Sequence, residues 1–209
     1  MRRAVSIVAA MAALSAAQVT TLAANTALLG ALSATQLGAT DAAGHALIAD
    51  LGTAGITSLS TNQVASLTTA DIGALSAAQV TTLAANTTLL GALSATQLGA
   101  TDASNTALIA DLGTAGIVNL STKQVAALTT AEIGMLTQAQ VTALATVTAL
   151  VNALNATQLS AADANSSATA LITDLGTAGI SLLSTSQIQS LTTADINALT
   201  PSQSAILFG

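Results

Sequence analysis

Cysteine is absent from this chain of 209 residues, which excludes disulfides, thiolate metal sites and cysteine nucleophiles. Tryptophan and tyrosine are absent as well, and the one phenylalanine is Phe208. Charge is scarce: three Lys and Arg stand against nine Asp and Glu, for a formal net charge of −6. Lys123 is the only basic residue beyond the third position. Nucleic-acid binding needs a basic face and, for single strands, aromatic side chains on which bases stack. Neither is present, so that class is set aside.

What remains is an apolar chain, 52% hydrophobic, whose surface must be made from Ser, Thr, Asn and Gln. It is too apolar and too regular for disorder. It also carries too little charge to hold copies apart, which favours self-association. The mean hydropathy of +0.72 raises the question of a membrane span. A spanning helix needs about 20 largely apolar residues, and here hydroxyl or amide side chains interrupt every few positions. The expectation is a Leu/Ala/Val core and no transmembrane span.

The N-terminus differs from the rest. Met1-Arg2-Arg3 is basic, the stretch from Ala4 to Leu14 is apolar apart from Ser6, and Ser15-Ala16-Ala17 has the small residues of a cleavage site. Residues 1–13 therefore read either as a signal-like segment or as an N-terminal cap. The second reading arises because the repeat already begins at Leu14, so cleavage would cut into it.

Leu14-Ser-Ala-Ala-Gln-Val-Thr-Thr returns at Leu75, 61 residues on, and residues 14–74 and 75–135 differ at ten positions. A third copy runs over 136–198. Residues 199–209 form a partial fourth copy or a C-terminal cap containing Pro201 and Ile206-Leu207-Phe208. Self-similarity at a fixed period marks units that bury their apolar faces against neighbours.

Within each copy lies a period of eight. Leu59-Ser-Thr-Asn-Gln-Val-Ala-Ser is followed by Leu67-Thr-Thr-Ala-Asp-Ile-Gly-Ala and then by Leu75-Ser-Ala-Ala-Gln-Val-Thr-Thr. On a strand Leu59 and Val64, five apart, point to opposite faces. On a helix every position has a use. Ser60 is the N-cap, Gln63 at N3 completes a capping box, and Leu59 with Val64 forms the hydrophobic staple across it. The fold expected is all-α, a tandem-repeat superhelical solenoid of short capped helices, with a β-solenoid as the alternative. Such helices are too short to be stable alone and depend on stacking. Where the octad reads Leu51-Gly-Thr-Ala-Gly-Ile, Gly52 is expected as an N-cap, and the segment as a turn or tight helix crossing that recurs at Leu112 and Leu175. The third copy carries two extra residues in 163–169, the expected surface loop.

Chemistry is sparse. His45 is the only histidine, its second-copy counterpart is Thr106, and no carboxylate motif surrounds it in sequence, so it reads as a drifted loop position. The nine acids fall in three sets: Asp41, Asp102 and Asp163; Asp50, Asp111 and Asp174; Asp71, Glu132 and Asp195. Stacked copies could align them for calcium, a hard cation that takes oxygen ligands. The local reading is capping, with Asp71, Glu132 and Asp195 at N3 and Asp41 as an N-cap. No G-x-S-x-G elbow, P-loop lysine or EF-hand pattern is present. Asn86-Thr-Thr and Asn155-Ala-Thr fit the glycosylation pattern. No catalytic, cofactor-binding or metal-ligating residue is assigned, and no cofactor is expected.

The octad Leu-Ser/Thr-x-x-Gln-Val/Ile-x-x-Leu over residues 14–207 resembles repeat regions of large bacterial secreted and cell-surface proteins, described as adhesin-like or haem-utilisation proteins. The resemblance implies an extracellular or cell-surface location and a cell-surface or matrix partner. It carries no haem role here, since a recurrent axial ligand is lacking. The function expected is a non-enzymatic structural repeat protein of the bacterial cell surface or extracellular matrix, self-associating into filaments. Two alternatives stay open: an ice-binding protein using Thr20-Thr21, Thr68-Thr69 and Thr81-Thr82, and a calcium-stabilised adhesin segment.

Overall fold

The computed structural model describes residues 13–41, 43–102, 106–162 and 170–209. The described residues form 22 helices and no strand. The chain is an all-α repeat protein; the β-solenoid alternative finds no support. The nearest approach to β structure is a set of isolated bridges, Thr40–Ala46, Thr101–Ala107 and Ala162–Ala170, each closing a loop.

The capping box explains why such short segments turn helical where they do. At Ser60 the hydroxyl oxygen accepts from the Gln63 N–H at 3.2 Å, while the Ser60 N–H donates back to Gln63 Oε1 at 2.9 Å. The same reciprocal pair is made by Ser15 with Gln18, Ser33 with Gln36, Ser76 with Gln79, Ser94 with Gln97 and Ser121 with Gln124. It satisfies two main-chain donors that helix geometry leaves orphaned. Leu59 and Val64, the two ends of the staple, are buried.

The chain folds as two compact units, Met1–Asp111 and Leu112–Gly209, so the division falls inside the second sequence copy. In the first unit α1 (Ala16–Ala23), α2 (Thr26–Gly30) and α3 (Ala34–Leu37) make one turn of the chain. A loop and α4 (Leu47–Asp50) lead into α5 (Gly52–Thr57), α6 (Thr61–Ser66) and α7 (Thr69–Gly73). The third turn is α8 (Ala77–Ala85), α9 (Thr87–Ala92) and α10 (Ala95–Leu98), followed by a loop and α11 (Leu108–Asp111). Corresponding helices pack on one another: α5 on α1, α8 on α5, α9 on α6 and α10 on α7.

The second unit repeats the scheme. Its first turn is α12 (Gly113–Val118), α13 (Thr122–Ala127) and α14 (Thr130–Gly134). Its second turn is α15 (Gln138–Leu144), α16 (Thr148–Ala153) and α17 (Ala156–Leu159). After α18 (Leu171–Asp174) come α19 (Gly176–Ile180), α20 (Thr185–Ser190), α21 (Thr193–Ala198) and α22 (Pro201–Phe208). Again α15 packs on α12, α16 on α13, α17 on α14 and α22 on α19.

Between turns lies the core the octad predicts. Leu29, Leu37, Ile48, Val64, Leu90 and Leu98 are buried in the first unit, and Val125, Ile133, Val151 and Leu159 in the second. A helix of four to nine residues contributes little alone; burial of these side chains, about 1.5–3 kcal/mol each, holds it in place.

The glycine-bearing octads differ from expectation. Gly52 is not an N-cap: it is the first residue of α5 and turns the corner from α4 in the left-handed region, with φ +64°, and Gly113 and Gly176 have the same angle. No side-chain cap is made at Leu51, the residue before it. A β-carbon disfavours this region of backbone space, which is why the corner takes glycine. Gly55 has another purpose. A β-carbon there would lie 2.6 Å from Leu51 Cβ and 3.2 Å from Ala23 Cβ, so its absence lets α5 approach α1.

Candidate functional site

The bonds between turns lie where sequence reading saw only caps. Gln63 Oε1 accepts from the Ser60 N–H and hydroxyl, and its Nε2 donates to the carbonyls of Leu29 and Leu32 at 2.8 and 2.9 Å. That uses both acceptor sites and both donors of the amide. Gln97 does the same to Val64 and Leu67, Gln158 to Val125 and Leu128, and Gln187 to Val151 and Leu154. Gln79 reaches Ile48 and Gln203 reaches Thr173. These bonds span 30 to 36 residues, about half of a 61-residue copy. Within each unit one turn therefore takes about half a sequence copy. The receiving carbonyls lie at helix C-terminal ends, where helix geometry leaves acceptors free.

Asp71, Glu132 and Asp195 also sit at N3 of capping boxes, paired with Thr68, Thr129 and Thr192. All three are buried. Asp71 lies against Gly38, where a β-carbon would overlap its carboxylate. In the third copy Ser160 stands in that glycine's place, and its hydroxyl donates to Asp195 Oδ2 at 2.9 Å. Burial pushes the Asp195 carboxyl up, but bonds from the Thr192 hydroxyl and N–H and from the Ser160 hydroxyl outweigh it. They hold the group below its ordinary value.

Asp41 does not cap a helix. Its Oδ1 accepts from the N–H groups of Ala43 at 2.8 Å and His45 at 2.9 Å, stapling a loop that Gly44 turns with φ +87°. Asp50, the last residue of α4, comes back to meet it. Ligand atoms of Asp41, His45 and Asp50 all lie within 4.8 Å of one another. Sequence reading left His45 without carboxylates near it; the loop supplies two. Asp41 Oδ2 and Asp50 Oδ2 are buried and accept no hydrogen bond. The N–H of His45 does most to hold Asp41 below its ordinary pKa, whereas burial and then Asp41 push Asp50 up.

The second copy keeps one bond of this loop, with Thr106 in the histidine's place. The Thr106 N–H donates to Asp102 Oδ1 at 2.9 Å, and burial followed by the Asp102 charge raises Asp111. Asp174 ends α18, and Asp163, with the third loop over 163–169, lies outside the described residues. Residues 1–12 of the signal-like segment also lie outside them. Five of the threonines weighed for ice binding make hydrogen bonds within their own helices. Thr68 is an N-cap, and Thr20, Thr21, Thr81 and Thr82 donate their hydroxyls to carbonyls four residues back. Asn86 and Asn155, in the glycosylation patterns, are both N-caps.

Residues 109–146 match the family model of the ALTTAQ repeat. Within them Ala127-Leu-Thr-Thr-Ala-Glu spells that motif with Glu132 in the glutamine's place. No curated protein and no solved structure matches the chain. The match supports a repeat protein. Among the described residues no helix is long and apolar enough to cross a membrane.

Proposed function

We propose that this chain is a non-enzymatic structural repeat protein of the bacterial cell surface or extracellular matrix, and that it self-associates. One observation carries the reading: the polar side chains that recur from octad to octad are used up in building the stack. Ser and Thr cap, and Gln caps on one atom while tying turns together with the other. A recurring polar pattern kept for catalysis would present its groups to substrate; this one presents them to its own main chain. The resemblance to adhesin-like repeats and the signal-like residues 1–13 support the location.

Support for self-association comes from what each unit leaves open. In the first unit Leu28 is 55% exposed. In the second unit Phe208 is 59% exposed, and Ile206 and Ile196 are exposed as well. A further copy would cover both kinds of surface, and a head-to-tail contact of this sort extends without closing. Sedimentation velocity over a hundredfold range of concentration, with negative-stain imaging, tests it. Growing species are expected, reduced in Leu28→Ser and Phe208→Ser. A monomer at every concentration would overturn self-association.

A further inference from the structure

We propose that Asp41, His45 and Asp50 form a binding site for a divalent transition metal of the zinc class, built on the loop of the first copy. The three ligand atoms are already within 4.8 Å of one another. Zinc binds nitrogen and carboxylate oxygen at about 2.0–2.2 Å, so at tetrahedral angles its ligands lie about 3.4 Å apart. A closing movement of up to about 1.4 Å brings the set to that separation, and the exposed His45 side chain has room to make it.

Asp41 is prepared as a ligand. The residue is only 5% exposed, its Oδ1 is fixed by two main-chain N–H groups, and its Oδ2 is buried with no donor. Hydrogen bonds of this kind orient a metal-binding carboxylate. Asp50 Oδ2 is buried and donorless in the same way. Two such oxygens near one another need a proton or a cation between them. A metal ion between them lets both carboxylates ionise.

The donor set selects the ion. Calcium takes six to eight oxygens, whereas one imidazole nitrogen with two carboxylates suits zinc, cobalt or nickel. His45 and Asp102 line the same surface hollow, so a further acidic group lies on the approach. The second copy supplies the control, since it keeps both acids and the N–H bond from residue 106 to Asp102 but has Thr106 in place of the histidine.

Titration calorimetry of the full chain with zinc chloride, after chelator treatment, tests the site, with cobalt chloride providing a visible absorption band. One zinc per chain is expected, with a rise in Tm. His45→Thr, which installs the residue found at this place in the second copy, is expected to weaken zinc at least about ten-fold and remove the cobalt band. Asp50→Asn is expected to weaken zinc likewise while melting no lower than the parent chain without metal. No zinc binding at millimolar concentration, unaltered zinc affinity in His45→Thr, or calcium bound more tightly than zinc would each overturn the proposal.

Discussion

Gln63 and Asp71 stand eight residues apart, at the same place in successive octads, each at N3 of a capping box and each buried. Their outer atoms do different things. Gln63 turns its Nε2 to the Leu29 and Leu32 carbonyls of the turn before, whereas the Asp71 carboxylate has no proton to give and rests against Gly38. Capping needs only an acceptor at N3, and Asp, Glu and Gln all provide one. Joining turns needs a donor as well, and only the amide provides both. The octad thus has two grades of N3 residue: one that starts a helix, and one that starts a helix and fastens it to its neighbour.

The largest expected effect comes from turning one grade into the other. In Gln97→Glu the cap is kept, but the carbonyls of Val64 and Leu67 lose their donor and face a buried negative charge. Loss of a buried partner together with an unpaired charge places the cost at about 3 kcal/mol or more near neutral pH. The new carboxyl has its pKa raised in the folded state. Its penalty is therefore full above that raised value and shrinks as pH falls through it, because the protonated acid can donate again. Urea midpoints at pH 7 and pH 4.5 measure both. A penalty that does not shrink in acid would break the comparison.

The caps were legible in the sequence because both partners, Ser60 and Gln63 for example, lie within one octad. The half-copy turn was not, because the second partner of Gln63 is a main-chain carbonyl 34 residues away, and a carbonyl has no residue signature. One clue was present: the motif Leu59-Ser-Thr-Asn-Gln-Val has a near match at Leu93-Ser-Ala-Thr-Gln-Leu, about half a copy on. Gly52 was misplaced because glycine serves both as N-cap and as left-handed corner, and φ decides between them. His45 looked isolated because four and five residues separate it from Asp41 and Asp50 through a loop with no regular period. Gly44, a turn-former beside it, was the signal that the chain doubles back there.

A smaller effect is expected where the third copy has altered the acid's surroundings. Ser160→Ala removes the hydroxyl that donates to Asp195 without the added backbone freedom of glycine. A hydrogen bond to a charged group contributes about 1.5 kcal/mol at the lower end of its range, which sets the expected loss at neutral pH. Asp195 is held below its ordinary value, so its stabilisation is complete above the unfolded value of about 3.9 and is lost as pH falls through the lower folded value. The gap between Ser160→Ala and the parent chain should accordingly close in strong acid. Stability curves from pH 7 to pH 2 check it, and a gap independent of pH would mean that the hydroxyl acts on packing, not on the charge.

The smallest change is expected from Asp71→Asn. Asparagine keeps an acceptor for the Thr68 N–H and hydroxyl, so the capping box survives. What is lost is the negative charge near the N-terminus of α7, which interacts favourably with the helix dipole by about 0.5 kcal/mol. The amide gained should not fasten the turn, because the neighbour there is Gly38 and not a pair of open carbonyls. Position in the stack, not residue type alone, then determines whether an amide at N3 ties two turns. A gain in urea midpoint from Asp71→Asn would show that any amide at N3 finds a carbonyl to hold, and that the two grades differ only in composition.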